Sequence, residues 1–201
     1  MHLRWSESQW SKVIFTDEKK WNLLGNDAYV SVWVDNHSTY CWEEVKMLHG
    51  SLMTWAAISA SGGLVLACIK GKIDGETYCD MLACDFFDNE NIILPLDFVF
   101  QQDNATPHVC RRTKEFLENR RIKVLSWPPQ SPDLSPIEDI WGIMSEKVYK
   151  NGKTYPNVEE LWYAVVGAFF QIPQETFQKL YQSMYTRLIN VLESGGKRIK
   201  Y

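Results

Sequence analysis

Short apolar runs separated by polar or glycine-rich turns fill the first half of the chain. Period-two alternation and β-branched or aromatic content predict strands in such runs. Residues 21–24 and 29–33 are expected to form a hairpin around a Gly25-Asn26-Asp27 turn, and Asp17 is expected at or near the end of the first strand. The predicted strands cover residues 12–16, 21–24, 29–33, 51–59 and 64–69.

Helical spacing becomes frequent after residue 70. Asp74 is a typical helix cap and is expected to begin a helix that runs to about Phe87. Four prolines in WPPQSPDLSP exclude regular structure until a helix that begins near Pro136 or Ile137 and runs to about Tyr149. Further strands are predicted over residues 97–101 and 123–126, and further helices over residues 113–119, 158–170 and 175–193.

This order of elements predicts an α/β fold with a central mixed sheet and helices packed on it. A meander of three strands is followed by alternating helices and strands, which matches the ribonuclease-H-like arrangement. The C-terminal helices are then an addition. We expect one domain over residues 1–201, with a core over about 10–150 and a helical extension over about 156–195.

Composition supports a packed protein, because 45% of the residues are hydrophobic. Five cysteines without a Cys-x-x-Cys pair argue against a zinc site or a disulfide framework and favour a reducing compartment. No apolar run reaches the length of a signal-peptide core or a membrane span. We therefore expect a soluble, intracellular protein.

The net charge of −4 argues against a general nucleic-acid binder, but the charge is uneven. Residues 1–100 hold 7 Lys+Arg and 14 Asp+Glu, and the remainder hold 14 and 11. The basic groups of the second half suit either an ordinary solvated surface or a face that contacts DNA. They cluster at Arg111-Arg112, Lys114, Arg120-Arg121-Lys123 and Lys197-Arg198.

Three carboxylates stand where the predicted elements could bring them together. Asp17 and Asp103 follow apolar strands, and Glu138 lies in the first turn of a helix, where the helix dipole favours a negative charge. Taken singly, such residues are usually turn, cap or dipole partners. Converging carboxylates repel one another unless cations neutralise them, and oxygen-only ligands suit Mg²⁺ or Mn²⁺.

The sequence around these three carboxylates resembles that of a known protein family. It reads TDEKKW at 16–21, FQQDNATPH at 100–108 and WPPQSPDLSPIEDIWG at 127–142. These blocks resemble the Tc/mariner superfamily of DNA transposases, and SLMTWAAIS at 51–59 and GGKRIKY at 195–201 extend the likeness. The resemblance implies an Asp-Asp-Glu triad of Asp17, Asp103 and Glu138 as catalytic residues and metal ligands. The 34 residues between Asp103 and Glu138, with Glu in third place, indicate the Tc branch.

The resemblance also implies a mechanism and partners. Two Mg²⁺ ions, or Mn²⁺ in their place, would serve the attacking and leaving oxygens at phosphorus, with Asp17 as the bridging ligand. Water would cut the transposon ends, and the freed 3′-hydroxyl would then attack TA target DNA, in the nucleus. No membrane and no small-molecule cofactor are expected.

Two parts of full-length relatives are expected to be missing. The chain begins almost directly before the first catalytic strand, so helix-turn-helix domains that read transposon ends are expected to be absent. A homodimer is implied for a full-length enzyme. However, residues 34–50 are shorter than the loop that clasps a partner subunit in some relatives, so no strong dimer of this chain is expected.

Several neighbours of the triad are candidate supporting residues. Glu18 should point away from Asp17 across the strand, and Asp139 should be rotated from Glu138, so both are interpreted as surface or outer groups. Asp133 is expected to bond backbone in its own turn, and the tryptophans at 127 and 141 to anchor the loop before Glu138 in the core. Candidates for supporting the ligands or contacting DNA are Asn104, His108, Arg111 and Arg112.

Two competing interpretations remain open. The first is another enzyme of this fold, such as a ribonuclease H or a retroviral-type integrase, against which the SPDLSPIEDIWG block and the 34-residue spacing speak. The second is a domesticated or truncated transposase fragment that binds DNA or protein without transposition. All three carboxylates are present, so the sequence does not mark the chain as inactive.

Overall fold

The computed structural model describes residues 2–25 and 50–199. Its strands are β1 (Val13–Asn22), β2 (Ser51–Ser59), β3 (Gly62–Ile69) and β4 (Val99–Gln101). Its α-helices are α1 (Glu7–Trp10), α2 (Gly75–Met81), α3 (Thr106–Val109), α4 (Arg111–Asn119), α5 (Pro136–Val148), α6 (Val158–Phe170), α7 (Gln174–Gln182) and α8 (Met184–Glu193).

The four strands form one sheet in the order β3-β2-β1-β4. β1, β2 and β3 are an antiparallel meander, and β4 lies parallel to β1. The ribonuclease-H-like layout expected from the sequence is therefore confirmed. β1 and β4 run in the same direction, and their paired segments end at Phe15 and Gln101. The next residues, Thr16 and Asp17 on β1 and Gln102 and Asp103 after β4, therefore lie close to one another.

Helices cover both faces of the sheet because the strands alternate two sets of apolar residues. On one face Val13, Phe15 and Ile58 pack in a cluster with residues of α5, α6, α7 and α8. On the other face Ile14 and Trp55 pack with residues of α2, α4 and the π-helical turn Leu82–Phe87. The C-terminal helices are thus one wall of the core rather than an addition to it.

The strand predicted over residues 12–16 is longer in the structure, and the strand predicted over residues 21–24 is not a separate strand. β1 pairs with β2 continuously from Phe15 to Asn22, so Asp17 lies inside a ten-residue strand, and Trp21 belongs to β1 instead of opening a hairpin. The run Thr16–Lys20 hid this continuity, because its polar and charged residues lack the apolar alternation typical of a strand. The second hairpin strand, at 29–33, lies outside the described residues.

Two later strands are shorter than predicted. Asp97 adopts a positive φ of 56°, which ends extended structure before Val99, so β4 has three residues. The segment 123–126 makes only a single bridge, between Val124 and Phe100.

The helices follow the prediction with local differences. Asp74 caps α2 by accepting hydrogen bonds from the backbone amides of Glu76 and Thr77, as expected, but the helix continues to Phe87 in π form. The helix predicted over 175–193 is interrupted at Ser183, whose hydroxyl donates to the Leu180 carbonyl at 2.6 Å. The short helices α1 and α3 were not predicted. Within residues 2–25 and 50–199, no helix is long and apolar enough to cross a membrane.

The junction between α7 and the sheet depends on one buried hydroxyl. The Tyr181 Oη lies 2.9 Å from the carbonyl oxygens of both Val13 and Ile58, to which it donates. Tyr181→Phe should lower the free energy of unfolding by about 1–2 kcal/mol, because buried carbonyls lose their donor. Chemical denaturation would measure this change. Tyr185→Phe, which removes a hydroxyl from a side chain that is 54% exposed, is the matched control and should have little effect.

Candidate active site

A cleft of about 270 Å³ opens where β1, β4 and the start of α5 meet. Asp17, Asp103 and Glu138 all line it, so the structure brings the three sequence-predicted carboxylates to one place. Its other walls are Thr16, Gln101, Trp127, Pro128, Gln130, Ser131, Pro132 and Ser135.

Each carboxylate is positioned by a different element. Asp17 projects from the middle of β1 toward α5, on the same face as Phe15. Asp103 follows β4 by two residues, and Glu138 is the third residue of α5, whose first position is Pro136. The proline is favourable there because its fixed φ suits the first helical turn and that position needs no N–H.

Trp141 links two of these elements and is a contact that the sequence analysis missed. Its ring is 1% exposed, which confirms its predicted place in the core, but its Nε1 also donates to Asp17 Oδ2 at 2.9 Å. Trp141 follows Glu138 by three residues on α5, and side chains at this spacing share one helix face. That spacing could have placed the indole beside the carboxylates.

The proline-rich loop forms the opposite wall of the cleft. Asn104 Nδ2 donates to the Trp127 carbonyl at 3.0 Å and so ties the segment after Asp103 to this loop. The Trp127 ring packs edge-on against Phe15 with centroids 5.7 Å apart. The candidate Asn104 and the loop-anchoring role of Trp127 are therefore placed next to the carboxylates, as expected.

Burial and mutual repulsion make Asp17 a poor anion. Burial, then the charges of Glu138 and Glu18, raise the pKa of Asp17 to about 7, although hydrogen bonds from Trp141 and the backbone oppose the rise. Burial also raises the pKa of Glu138, while the charges of Lys19 and Arg198 lower it. Without a counter-cation, this part of the cleft therefore resists carrying two negative charges.

The environment of Asp103 lowers the pKa of its carboxyl, in contrast to that of Asp17. Hydrogen bonds from His108 and the Ala105 backbone amide lower the pKa of this carboxyl. His108 Nδ1 lies 2.6 Å from Asp103 Oδ1, and His108 Nε2 lies 3.2 Å from Glu18 Oε1. Burial lowers the pKa of His108, but the two carboxylates outweigh it and raise the pKa to about 9. At neutral pH an imidazolium therefore bridges Asp103 and Glu18.

Tyr78 and Gln102 also hold His108 in place. The Tyr78 ring packs against the imidazole with centroids 4.1 Å apart, and the Tyr78 hydroxyl donates to Gln102 Oε1 at 3.0 Å. Gln102 Nε2 in turn donates to the His108 carbonyl at 2.9 Å. Glu18 points away from Asp17, as predicted, yet it supports Asp103 through this buried network. The sequence alone gave no signal for this connection.

The donor set of the cleft fits a divalent cation. It consists of carboxylate oxygens, the ligands that Mg²⁺ and Mn²⁺ prefer, and a cation would relieve the repulsion that raises the pKa of Asp17. However, in residues 2–25 and 50–199 no three His, Cys, Asp or Glu side chains already surround one point. The carboxylates line a common wall, with Asp103 turned toward His108, rather than forming a finished ligand shell.

Four other residues differ from their predicted roles or are more closely defined. Arg111 and Arg112 pair with Glu115 and Glu76 on the surface of α4 and α2, away from the triad, and their contact with DNA stays a prediction. Asp133 does bond backbone, but at Ile199 near the C-terminus rather than in its own turn. Asp139 points away from the cleft and pairs with Arg187 at 2.8 Å.

Comparisons with known proteins show which family the chain resembles. A family model described as DDE superfamily endonuclease matches residues 12–162. The Tc3 transposase of Caenorhabditis elegans is 35% identical over 96% of the chain, which spans 59% of that protein's length. The Tc1 transposase of the same organism is 30% identical over the whole chain, which spans 74% of its length.

Solved structures share the fold at low sequence identity. The paired-end complex of Mos1 transposase with the left transposon end has a TM-score of 0.75 and 18% identity, and the match covers 96% of this chain and 58% of that one. The catalytic domain of Mos1 mariner transposase has a TM-score of 0.71 and 16% identity, covering 96% and 86%. Together with the family model and the curated relatives, these matches show that the chain belongs to the DDE superfamily of endonucleases, within the Tc1/mariner transposases.

Proposed function

We propose that this chain is a metal-dependent catalytic domain that cleaves DNA at transposon ends and transfers the 3′-hydroxyl strand to target DNA. The observation that carries the proposal is the single cleft lined by Asp17, Asp103 and Glu138, one from each of three elements. The unfavourable ionisation of Asp17 supports this proposal, because a bound cation would neutralise that carboxylate.

The relatives support this proposal. Mos1 transposase has been solved with a transposon end and as a strand transfer complex, and its catalytic domain has been solved with Mn and with Mg. DDE superfamily membership implies a divalent metal. By analogy we propose double-stranded DNA as the partner and two Mg²⁺ ions, replaceable by Mn²⁺, as the cofactor. TA targets, a nuclear location and a homodimer of the full-length enzyme belong to the same proposal.

The side chains at this site have different roles. Asp17, Asp103 and Glu138 would hold the ions, which stabilise charge on the attacking and leaving oxygens of a phosphoryl transfer. His108 keeps Asp103 ionised and fixes its carboxylate, and Glu18 contacts the other nitrogen of the same imidazole. Trp141, whose ring is buried, donates a hydrogen bond that fixes one oxygen of Asp17.

Removing a ligand carboxylate should abolish the chemistry. We expect Asp103→Asn and Glu138→Gln to lower Mn²⁺-dependent nicking of supercoiled plasmid by about 100-fold or more, since metal stabilisation of the transition state is worth several kcal/mol and 1.36 kcal/mol is a tenfold change in rate. Nicked and linear products resolved on gels would give the rates. Plasmid is suitable because the assay does not depend on recognition of a particular transposon end.

Asp80→Asn is the matched control, because it makes the same change at an exposed site on α2 and should leave nicking unchanged. Equal rates in wild type and Asp103→Asn would contradict the assignment of the site. Metal-dependent cleavage of RNA–DNA hybrid in preference to DNA would instead favour a ribonuclease H. Intact DNA binding without any cleavage would favour the non-catalytic fragment.

The raised pKa of Asp17 predicts a pH-dependent stability for the metal-free protein. The folded state holds this proton up to about pH 7, whereas an unfolded aspartate releases it near pH 3.8. The contribution of Asp17 to stability therefore falls as the pH rises from about 4 to 7. In EDTA, the melting temperature of the wild type relative to Asp17→Asn should be lower at pH 8 than at pH 5.

Added Mn²⁺ should reverse that difference. A bound cation stabilises the ionised carboxylate, so at pH 8 Mn²⁺ should raise the melting temperature of the wild type and have a much smaller effect on Asp17→Asn. Thermal unfolding followed by circular dichroism gives both comparisons. The same wild-type minus variant difference at both pH values would show that Asp17 ionises normally.

A further inference from the structure

The first turn of α5, which carries Glu138, begins favourably with Pro136 but has no side-chain cap. Its N-cap residue, Ser135, makes no side-chain capping hydrogen bond. The Glu138 amide reaches only the Ser135 carbonyl, at 3.1 Å. The first amides of a helix have no intrahelical partners, so an uncapped start tends to fray. The burial of Ile137 holds one side of this turn, and contacts from outside the turn hold the rest.

Arg187 of α8 supplies contacts on both sides of this turn. Its Nη1 donates to the Asp133 carbonyl at 3.1 Å, and its Nη2 lies 2.8 Å from Asp139 Oδ2. Its Nε donates to Ser183 Oγ at 2.8 Å, which fixes the guanidinium to its own helix. Asp133 precedes Glu138 by five residues and Asp139 follows it directly. One rigid group therefore joins the loop before Glu138 to the residue after it.

Because the Arg187 guanidinium is buried, losing one of its hydrogen-bond acceptors would destabilise the folded protein. The Arg187 side chain is 1% exposed and that of Asp139 is 25% exposed. A guanidinium that leaves water needs several well-placed acceptors, and its planar fork holds them in a defined geometry. A lysine could reach one of these acceptors but could not join all three.

The action of Arg187 on Glu138 is one of position. Arg187 contacts the Asp133 carbonyl and the Asp139 carboxylate, which lie before and after Glu138 along the chain. Arg187 and Glu138 also line the same cavity of about 810 Å³ beside the loop. A second link from the C-terminus, the Ile199 amide to Asp133 Oδ2 at 2.9 Å, holds the loop from the same side.

We propose that Arg187 is a positioning residue that locks the loop and first turn of α5 so that Glu138 faces the cleft. This proposal rests on the assignment of Glu138 as a metal ligand, and it gives the C-terminal helix α8 a role in assembling the site. The whole chain through α8 would then be required for a competent cleft, because the lock on Glu138 lies at its far end.

The test compares Arg187→Met with Arg120→Met in the whole chain. Arg120 makes a bidentate ion pair with Asp88 on the far side of the molecule, so its loss is a matched loss of a guanidinium–carboxylate pair. We expect Arg187→Met to weaken Mn²⁺ binding, measured by titration calorimetry, by about 10-fold or more, the usual effect of losing a group that orients a ligand. Arg120→Met should leave Mn²⁺ affinity unchanged.

A second measurement does not depend on metal. In EDTA, amide hydrogen exchange over residues 137–141 should be faster in Arg187→Met than in the wild type, with no such change in Arg120→Met. If Arg187→Met does not fold because Asp139 is left unpaired, the double variant Arg187→Met/Asp139→Asn removes both charges and should show the same fast exchange. Wild-type exchange in a folded Arg187 variant would overturn the proposal.

The outcomes separate this inference from the proposed function. If the wild type binds no Mn²⁺, or binds it equally after Asp103→Asn, the proposed function fails and hydrogen exchange alone decides whether Arg187 locks the turn. If the wild type binds Mn²⁺ through Asp103 while a folded Arg187→Met binds it equally well, the positioning role fails and the proposed function stands.

Discussion

Repulsion among carboxylates at one edge of the sheet is the constraint on which this site depends. Asp17 is partly buried, and this burial together with the charges of Glu138 and Glu18 raises its pKa to about 7. Two features of the fold reduce this repulsion. The fold places a buried imidazolium between Asp103 and Glu18, and it leaves a cleft in which a cation would neutralise Asp17 and Glu138.

The fold class and the triad could be predicted because each has a local signature. Alternating apolar residues predicted β2 and β3, Asp74 predicted the start of α2, and Pro136 predicted the start of α5. The motif around Glu138 predicted the family, which the comparisons confirm. In each case the residues that decide the structure lie within a few positions of one another in the sequence.

What could not be predicted depends on contacts between distant parts of the chain. The continuation of β1 through Thr16–Lys20 was missed because a run of charged and polar residues resembles a loop unless the partner strand and the cleft are known. Glu18 and His108 are 90 residues apart, and their contact exists only because β1 and α3 meet at the sheet edge. The role of Arg187 could not be predicted, since its burial and its contact with Asp139 cannot be read from its neighbours in sequence.

The placement of Asp17 and Glu18 as neighbours on one strand has a consequence for how this site tolerates change. Because successive residues of β1 face opposite sides of the sheet, Asp17 meets Trp141 on one side and Glu18 meets His108 on the other. A shift of β1 by a single residue against β2 would exchange the two faces and put each carboxylate in the other's environment. The site should therefore be far less tolerant of one inserted or deleted residue in β1 than of most substitutions there, so the length of this strand constrains the sequence as strongly as its residues do.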